Sequence, residues 1–326
     1  MNNLHYCETI EATNPCGEQP LPPYGACLLG SFNMVKYVKK DNEGRMVFDR
    51  QQLIHDVYPV HRAMDNVIDR TIYPLEQQEQ EAKAKRRMGI GVTGMANALE
   101  ACGFRYGSPD YLLQQSYLLS DINTSMYLSS AWIADEKGSF PMFDKEKYIS
   151  GNYIQTLSNS VVSAIDEFGI RNSHLTSIAP TGTISLTADN VSSGIEPPYL
   201  LHYDRTIQTF DGPRVERVED YAYREFGIEG LTADKVSASE HVTVLCASQK
   251  YVDSAVSKTC NVGADVEFDD FKDLYVQGWK GGAKGLTTFR SAGKRFGIFN
   301  APKEDEPLKL ESCTFDPSTG IRTCEV

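Results

Sequence analysis

The sequence predicts an α/β fold organised on a parallel sheet or barrel. Short apolar runs of strand length alternate with longer helical runs, the order that parallel strands need for their crossovers. At 326 residues the chain is long enough for a sizeable core. Its 41% hydrophobic and 23% charged content is that of an ordinary globular protein. Collagen-like, coiled-coil and wholly disordered classes are excluded.

The elements follow in chain order. Leu53, Val57, Val60, Met64 and Val67/Ile68 recur at three- and four-residue spacing and predict a helix. Pro59 inside it is expected to kink or interrupt it. Tyr111 to Lys137 reads as a long amphipathic helix closed by Gly138. Leu175–Ile178, His241–Leu245, Lys258–Val262 and Gly285–Phe289 are strand candidates. Phe268 to Trp279 is a further helix, closed by Gly281-Gly282. The body is expected to span residues 1–300. Residues 301–326 read as a flexible tail, because Ala301 to Pro307 is rich in Pro and charge.

Charge narrows the partners. The chain carries 32 Lys+Arg against 44 Asp+Glu, a net charge of -12. That argues against binding polymeric nucleic acid, which needs a basic face to displace counterions. No apolar run approaches the ~20 residues of a membrane span, and no signal-peptide pattern opens the chain. A cytoplasmic protein with its eight cysteines reduced is expected. The six histidines make no metal-ligand spacing with each other or with cysteine, so no metal site is expected.

Three segments could carry chemistry. In Asn14-Pro15-Cys16-Gly17-Glu18, Pro15 and Gly17 force an irregular turn that sets Cys16 at a loop tip. Glu18 and Asn14 then offer an acid-base group and a neutral amide beside a thiol. The plain alternative is a surface loop with one cysteine. Cys27 lies among small residues and reads as a core cysteine, with added interest because Cys16 precedes it by 11 residues across a Pro-rich connection. Ala179-Pro180-Thr181-Gly182-Thr183-Ile184-Ser185 follows a strand candidate. It is either a plain turn or a nest of N–H groups and hydroxyls for a phosphate. Gly89-Ile90-Gly91-Val92-Thr93-Gly94 matches G-x-G-x-x-G but follows the charged, poor strand-former Glu79–Arg87. It is set aside as a dinucleotide site, its glycines being expected to let a helix start pack closely.

Together these segments resemble the large chain of ribonucleotide reductases, specifically the vitamin B12-dependent class. The resemblance is carried by Ala12 to Leu21, Gly25 to Asn33, Arg86 to Gly94, Ala179 to Ser185 with Asp189 to Pro197, and Ser257 to Asn261. It implies the second half of a ten-stranded α/β barrel with a finger loop inside. Cys16 would carry a thiyl radical, formed with adenosylcobalamin as cofactor, that removes the ribose 3′-hydrogen. Glu18 would be the general base and Asn14 would hold ribose hydroxyls. Cys27 would be one of two cysteines that supply electrons, and Ala179 to Ser185 would hold the substrate phosphates. The substrate implied is a ribonucleotide, expected to be a diphosphate. Lys284-Gly285-Leu286-Thr287-Thr288-Phe289-Arg290 stands where subunit-driven relatives have a Tyr-Tyr relay; Thr287-Thr288 has no oxidisable ring, which favours the cobalamin class.

The resemblance also implies what this chain does not supply. The first half of the barrel and the partner of Cys27 would come from a separate N-terminal half chain. Cys313 and Cys324 would be the redox pair of the tail, re-reduced by a thioredoxin-type partner, although ten residues separate them. Cys102, Cys246 and Cys260 are expected to be structural thiols. Homo-oligomers fit as well. The competing reading is a non-catalytic scaffold or nucleotide-binding remnant of the same family.

Overall fold

A computed structural model describes residues 1–26, 28–209, 212–263, 266–290, 313–316 and 321–324, with the backbone only at 205–209, 213, 313–316 and 321–324. The chain opens with a short hairpin, β1 (Ala12–Thr13) and β2 (Pro20–Leu21), then β3 (Leu29–Asn33). A second hairpin, β4 (Val38–Lys40) and β5 (Met46–Phe48), leads to α1 (Arg50–Arg70) and α2 (Glu76–Lys85). Next come β6 (Gly89–Thr93), α3 (Met95–Ala101), α4 (Pro109–Lys137), α5 (Lys145–Ile149), α6 (Asn159–Phe168) and α7 (Gly182–Thr187). A long antiparallel ribbon of β7 (His202–Thr209) and β8 (Gly212–Glu219) precedes α8 (Tyr221–Phe226) and α9 (Ala238–Gln249). The body ends with β9 (Thr259–Val262), α10 (Phe268–Lys280) and β10 (Thr287–Arg290). The tail holds β11 (Cys313–Asp316) and β12 (Ile321–Cys324).

The parallel pairing runs in chain order. β3 pairs parallel with β6, Ile90 of β6 bridges to Thr176, Ile178 bridges to Val256, and β9, three residues past Val256, pairs parallel with β10. Five extended segments thus follow one another, each reached by a crossover. This agrees with the parallel sheet expected. Closure into a ten-stranded barrel is not present among the described residues. Every residue of β6 is buried, as expected of a central parallel strand covered on both faces. Its glycines fit that position. A Cβ on Gly91 would collide with the Ser177 carbonyl, and one on Gly89 with the Gln19 amide.

Helices cover the segments. α4 is capped by Ser108, whose side chain accepts from the Tyr111 N–H, and ends at Gly138 with φ +82. It is about 44 Å long at 1.5 Å per residue, and buries Tyr111, Leu118, Ile122 and Met126. α1 is one helix through Pro59, not interrupted there. Burial of Leu53, Val57 and His61 and the Arg50–Asp121 and Arg62–Glu136 ion pairs to α4 hold both sides of the proline in register.

Two readings are corrected. His241–Leu245 is helical, within α9. Its β-branched run suggested a strand, but Ser237 and Glu240 form a capping box just before it, and the buried Val242, Val244 and Leu245 fit a helix face. The glycine-rich run 89–94 also differs: its first five residues are themselves the strand, and only Gly94, at φ +71, turns into α3. A dinucleotide fingerprint needs its first glycines after the strand, so the run offers no phosphate turn.

Candidate active site

The site is built first from the β1–β2 hairpin. Only Ala12–Leu21 and Thr13–Pro20 pair, which projects residues 14–19 as a loop. The loop closes on Asn14. Its Oδ1 accepts from the N–H of Gly17 at 3.1 Å and of Gln19 at 3.0 Å, and its own N–H donates to the Gln19 carbonyl. Gly17 takes φ +85, which disfavours any residue with a Cβ. Asn14 is therefore first a loop-building residue, with its Nδ2 amide turned away from these bonds.

The loop is then pinned to the sheet. The Glu18 carbonyl accepts from the Ala255 N–H at 3.0 Å and from the Ser177 hydroxyl at 2.9 Å. Cys16 stays exposed at the tip, while Glu18 is 2% exposed and its Oε2 has no hydrogen-bond partner among the described residues. Partial burial and then the Glu18 carboxylate push the Cys16 thiol pKa up. At neutral pH the thiol keeps its hydrogen.

Ser177 also fixes the second part of the site. Two residues beyond it the chain enters Ala179–Pro180, with Thr181 at φ +56 opening α7. The Thr181 hydroxyl accepts from the Gly194 N–H at 2.7 Å and meets the Thr93 hydroxyl at 2.9 Å. The first N–H groups of α7 have no partner within the helix. Gly182 and Ser185 border a cavity of about 160 Å³, walled also by Ser193, Glu196 and Asp220. The Glu18 carbonyl thus ties the loop to Ser177, two residues before the turn begins. Asp220 caps α8 and receives both bonds of the Asn97 amide; burial raises its pKa.

Several residues that set this geometry are invisible to motif reading. Asp253 is fully buried and takes the N–H groups of Leu175 at 2.7 Å and Thr176 at 3.0 Å, besides the Tyr127 hydroxyl at 2.8 Å. Lys284 donates to the carbonyls of Met1, Asp253 and Ser254, and burial pushes its pKa down to about 8. Glu8, at the entry to the loop, receives Arg87 at 2.6 Å and Lys85 at 2.9 Å in a buried cluster. Gln19 is fully buried, and among the described residues neither of its amide atoms has a hydrogen-bond partner. Gln19, Arg87 and Lys284 fall within stretches that carry the resemblance, where nothing local shows what they touch; Asp253 and Glu8 fall outside them.

The remaining cysteines separate clearly. Cys27 lies outside the described residues. Cys102 and Cys260 are pushed up to about 11 by burial, as inert packed thiols are. Cys246 donates toward the Gly278 carbonyl at 3.7 Å. Cys313 and Cys324 are register partners at the open end of the antiparallel β11–β12 hairpin. The two strands pair antiparallel, so wide sequence spacing does not keep the two backbone positions apart.

A thiol-bearing loop is thus pinned across parallel strands of an α/β protein. The family model for the ribonucleotide reductase barrel domain matches residues 1–231 and 231–289, and the chain belongs to that family. It is 32% identical over 345 residues to the vitamin B12-dependent ribonucleoside-diphosphate reductase of Mycobacterium tuberculosis (strain CDC 1551 / Oshkosh), covering 97% of this chain and 46% of the relative. It is 31% identical to the enzyme of the same name from Thermoplasma acidophilum, covering 97% and 44%. A ribonucleoside-diphosphate reductase subunit alpha of Treponema pallidum is 26% identical over 74% of this chain. The chain thus spans about half the length of the vitamin B12-dependent diphosphate reductases it matches. Among the described residues, no helix is long and apolar enough to cross a membrane.

Proposed function

We propose that this chain is the catalytic portion of an adenosylcobalamin-dependent ribonucleoside-diphosphate reductase, acting with a second polypeptide that supplies the rest of the barrel. The observation that carries the reading is the pinning of the Asn14–Gln19 loop, through Ser177, to the strand that enters the Ala179–Ser185 turn. That joins a thiol, a carboxylate and a candidate phosphate cradle.

Cofactor fit rests on Cys16. An exposed thiol held protonated is the species a radical generator needs, since it must give up a hydrogen atom. When bound, adenosylcobalamin supplies the radical. No side-chain set for the corrin ring stands out among the described residues.

The turn 179–185 holds the diphosphate through N–H groups at the start of α7 and the Ser185 hydroxyl. The Asn14 Nδ2 amide donates to a ribose hydroxyl. The Cys16 thiyl takes the ribose 3′-hydrogen, and the buried Glu18 carboxylate accepts the 3′-hydroxyl proton. Cys27 and a thiol of the second polypeptide then supply two electrons and two protons. One proton leaves with the 2′-hydroxyl as water, the other hydrogen ends on C2′, and the two sulfurs close to a disulfide. Cys16 then returns its hydrogen to C3′ and Glu18 its proton to the 3′-hydroxyl. Thiol–disulfide exchange with Cys313 and Cys324 restores the pair. Their register in the tail hairpin supports a paired role, and a thioredoxin-type protein would reduce them in turn.

The test is reconstitution. This chain, mixed with the part of the Mycobacterium tuberculosis relative that it does not match, is assayed for reduction of nucleoside diphosphates with added adenosylcobalamin. Turnover is expected from the mixture and from neither part alone. Cys16→Ala should abolish turnover with an unchanged circular dichroism spectrum. Deoxynucleotide formation by the Cys16→Ala mixture would overturn the assignment.

A further inference from the structure

We propose that Lys258 is the buried countercharge of the cavity beside the Ala179–Ser185 turn, a positioning residue that lets this cavity accept the substrate's phosphates although carboxylates stand in its wall. This rests on the reading of the cavity as the diphosphate site and deepens it. Ser257 to Asn261 carries the resemblance, yet the reaction steps give it no part.

Charge sets the problem. Glu196 and Asp220 both wall the cavity, and among the described residues around it there is no Lys, Arg or His. Asp220 is matched by donors: its carboxylate receives the Asn97 amide and the N–H groups of Ala222 and Tyr223. The Glu196 Oε1 accepts from the Thr259 N–H at 2.9 Å. The exposed Lys36 and Arg224 are already paired, with Asp189 and Glu225. A carboxylate in the wall repels an incoming phosphate unless a cation stands near it.

Lys258 is that cation. It is 3% exposed, and its ammonium donates to His241 Nδ1 at 2.7 Å and to the Thr259 carbonyl at 3.0 Å. Both acceptors are uncharged. Burial and then the Lys258 charge push the His241 pKa down to about 3, and its Nε2–H donates to the Ala233 carbonyl at 3.2 Å, which leaves Nδ1 as the acceptor. Full burial pushes the Lys258 pKa down to about 8, opposed by Glu196 and Cys260. Burial pushes the Cys260 thiol up to about 11, so at neutral pH the opposing charge is the Glu196 carboxylate. Most of Lys258 therefore stays protonated at pH 7. An ammonium buried on neutral acceptors is costly, and an apolar side chain of the same length would pack as well. What the lysine adds is charge beside Glu196.

The same ammonium sets the position of the wall from two sides. On one side it holds His241, which holds the Ala233 carbonyl, while the Ala233 N–H donates to the Pro198 carbonyl at 2.9 Å. On the other side it fixes the Thr259 carbonyl, and the Thr259 N–H holds Glu196. Glu196 and Pro198 are both cavity walls. Ser193 joins this wall to the turn: its carbonyl accepts from the Glu196 N–H at 2.7 Å, and its hydroxyl meets that of Ser185 at 3.4 Å. Lys258 thus acts on the phosphate through Glu196, without lining the cavity itself.

The experiment titrates the full chain with inorganic pyrophosphate in a calorimeter, each variant first checked by circular dichroism. Lys258→Met keeps the side chain's length and removes its charge; affinity should fall about tenfold, the scale of one unit charge close to the cavity. Glu196→Gln should tighten binding, a direction that a damaged fold does not produce. Lys258→Met combined with Glu196→Gln should bind more tightly than Lys258→Met alone, the coupling expected of two charges that cancel. If Lys258→Met does not fold, Glu196→Gln decides alone. In the reconstituted enzyme, Lys258→Met should raise KM for the diphosphate and hold kcat within about threefold. Undiminished affinity in Lys258→Met, no tightening in Glu196→Gln, or a double variant no better than Lys258→Met overturns the proposal. So does a wild-type chain that does not bind pyrophosphate. The expected order of affinities without nucleotide reduction leaves Lys258 in its role and sinks the functional reading. Nucleotide reduction with a KM indifferent to Lys258→Met does the reverse.

Discussion

Glu18 shows how one residue can hold two jobs through different atoms. Its carbonyl locks the finger loop to Ser177 and Ala255, while its carboxylate remains buried and short of partners. Glu18→Gln preserves the first job and removes the second. Nucleotide binding should be retained and the rate should fall roughly 10²–10⁴-fold, the range for lost general-base help; single-turnover kinetics with a binding assay separates the two. Glu100, on α3, is a different kind of buried acid. Burial pushes its pKa up to about 7, against the opposing N–H bonds from Leu231 and Tyr106. Between its ordinary value near 4.5 and 7 the folded chain holds a proton that the unfolded chain has released. Stability is therefore lost as pH rises through that window. Glu100→Gln should gain on the wild type from pH 5 to pH 8, by up to about 3 kcal/mol in urea unfolding. A gain that shrinks with rising pH would contradict this.

At the scale of elements, β6 decides how closely the loop can approach. Gly91 has no room for a Cβ because the Ser177 backbone carbonyl occupies that space, and backbone cannot rotate away as a side chain can. Gly91→Ala should cost about 3 kcal/mol or more, or prevent folding. Gly285→Ala, where nothing lies within 4 Å, should change stability by no more than about 1 kcal/mol. Denaturant midpoints of the two variants check the contrast. The same closeness accounts for the glycine-rich run: it resembles a phosphate loop in letters, yet serves as a buried strand. α9 teaches the complementary lesson. Its capping box was legible at Ser237 and Glu240, and local capping outweighed the strand propensity of Val242, Thr243 and Val244.

For the molecule as a whole, the tail and the sheet edges are separable. Among the described residues, β11 and β12, which set Cys313 opposite Cys324, pair only with each other and not with the five parallel segments. Removing residues 301–326 should spare a single turnover from a pre-reduced site in the reconstituted enzyme. It should slow repeated turnover with a thioredoxin-type protein, but not with a small dithiol that diffuses to the site. Equal loss with both reductants would make the tail structural.

The sequence by itself determined the α/β class, the long helix that Gly138 ends, and the loop Asn14–Glu18, because periodicity, terminating glycines and contiguous motifs are local. It also placed Cys16 at a loop tip, since Pro15 and Gly17 act on their immediate neighbours. Only the tertiary structure decided that Glu18 is held by Ser177, that Asp253 and Lys284 brace the neighbouring strand, and that Cys313 stands opposite Cys324. Those contacts join residues distant in sequence, and nothing in the local pattern of an Asp or a Lys tells which backbone groups will need it.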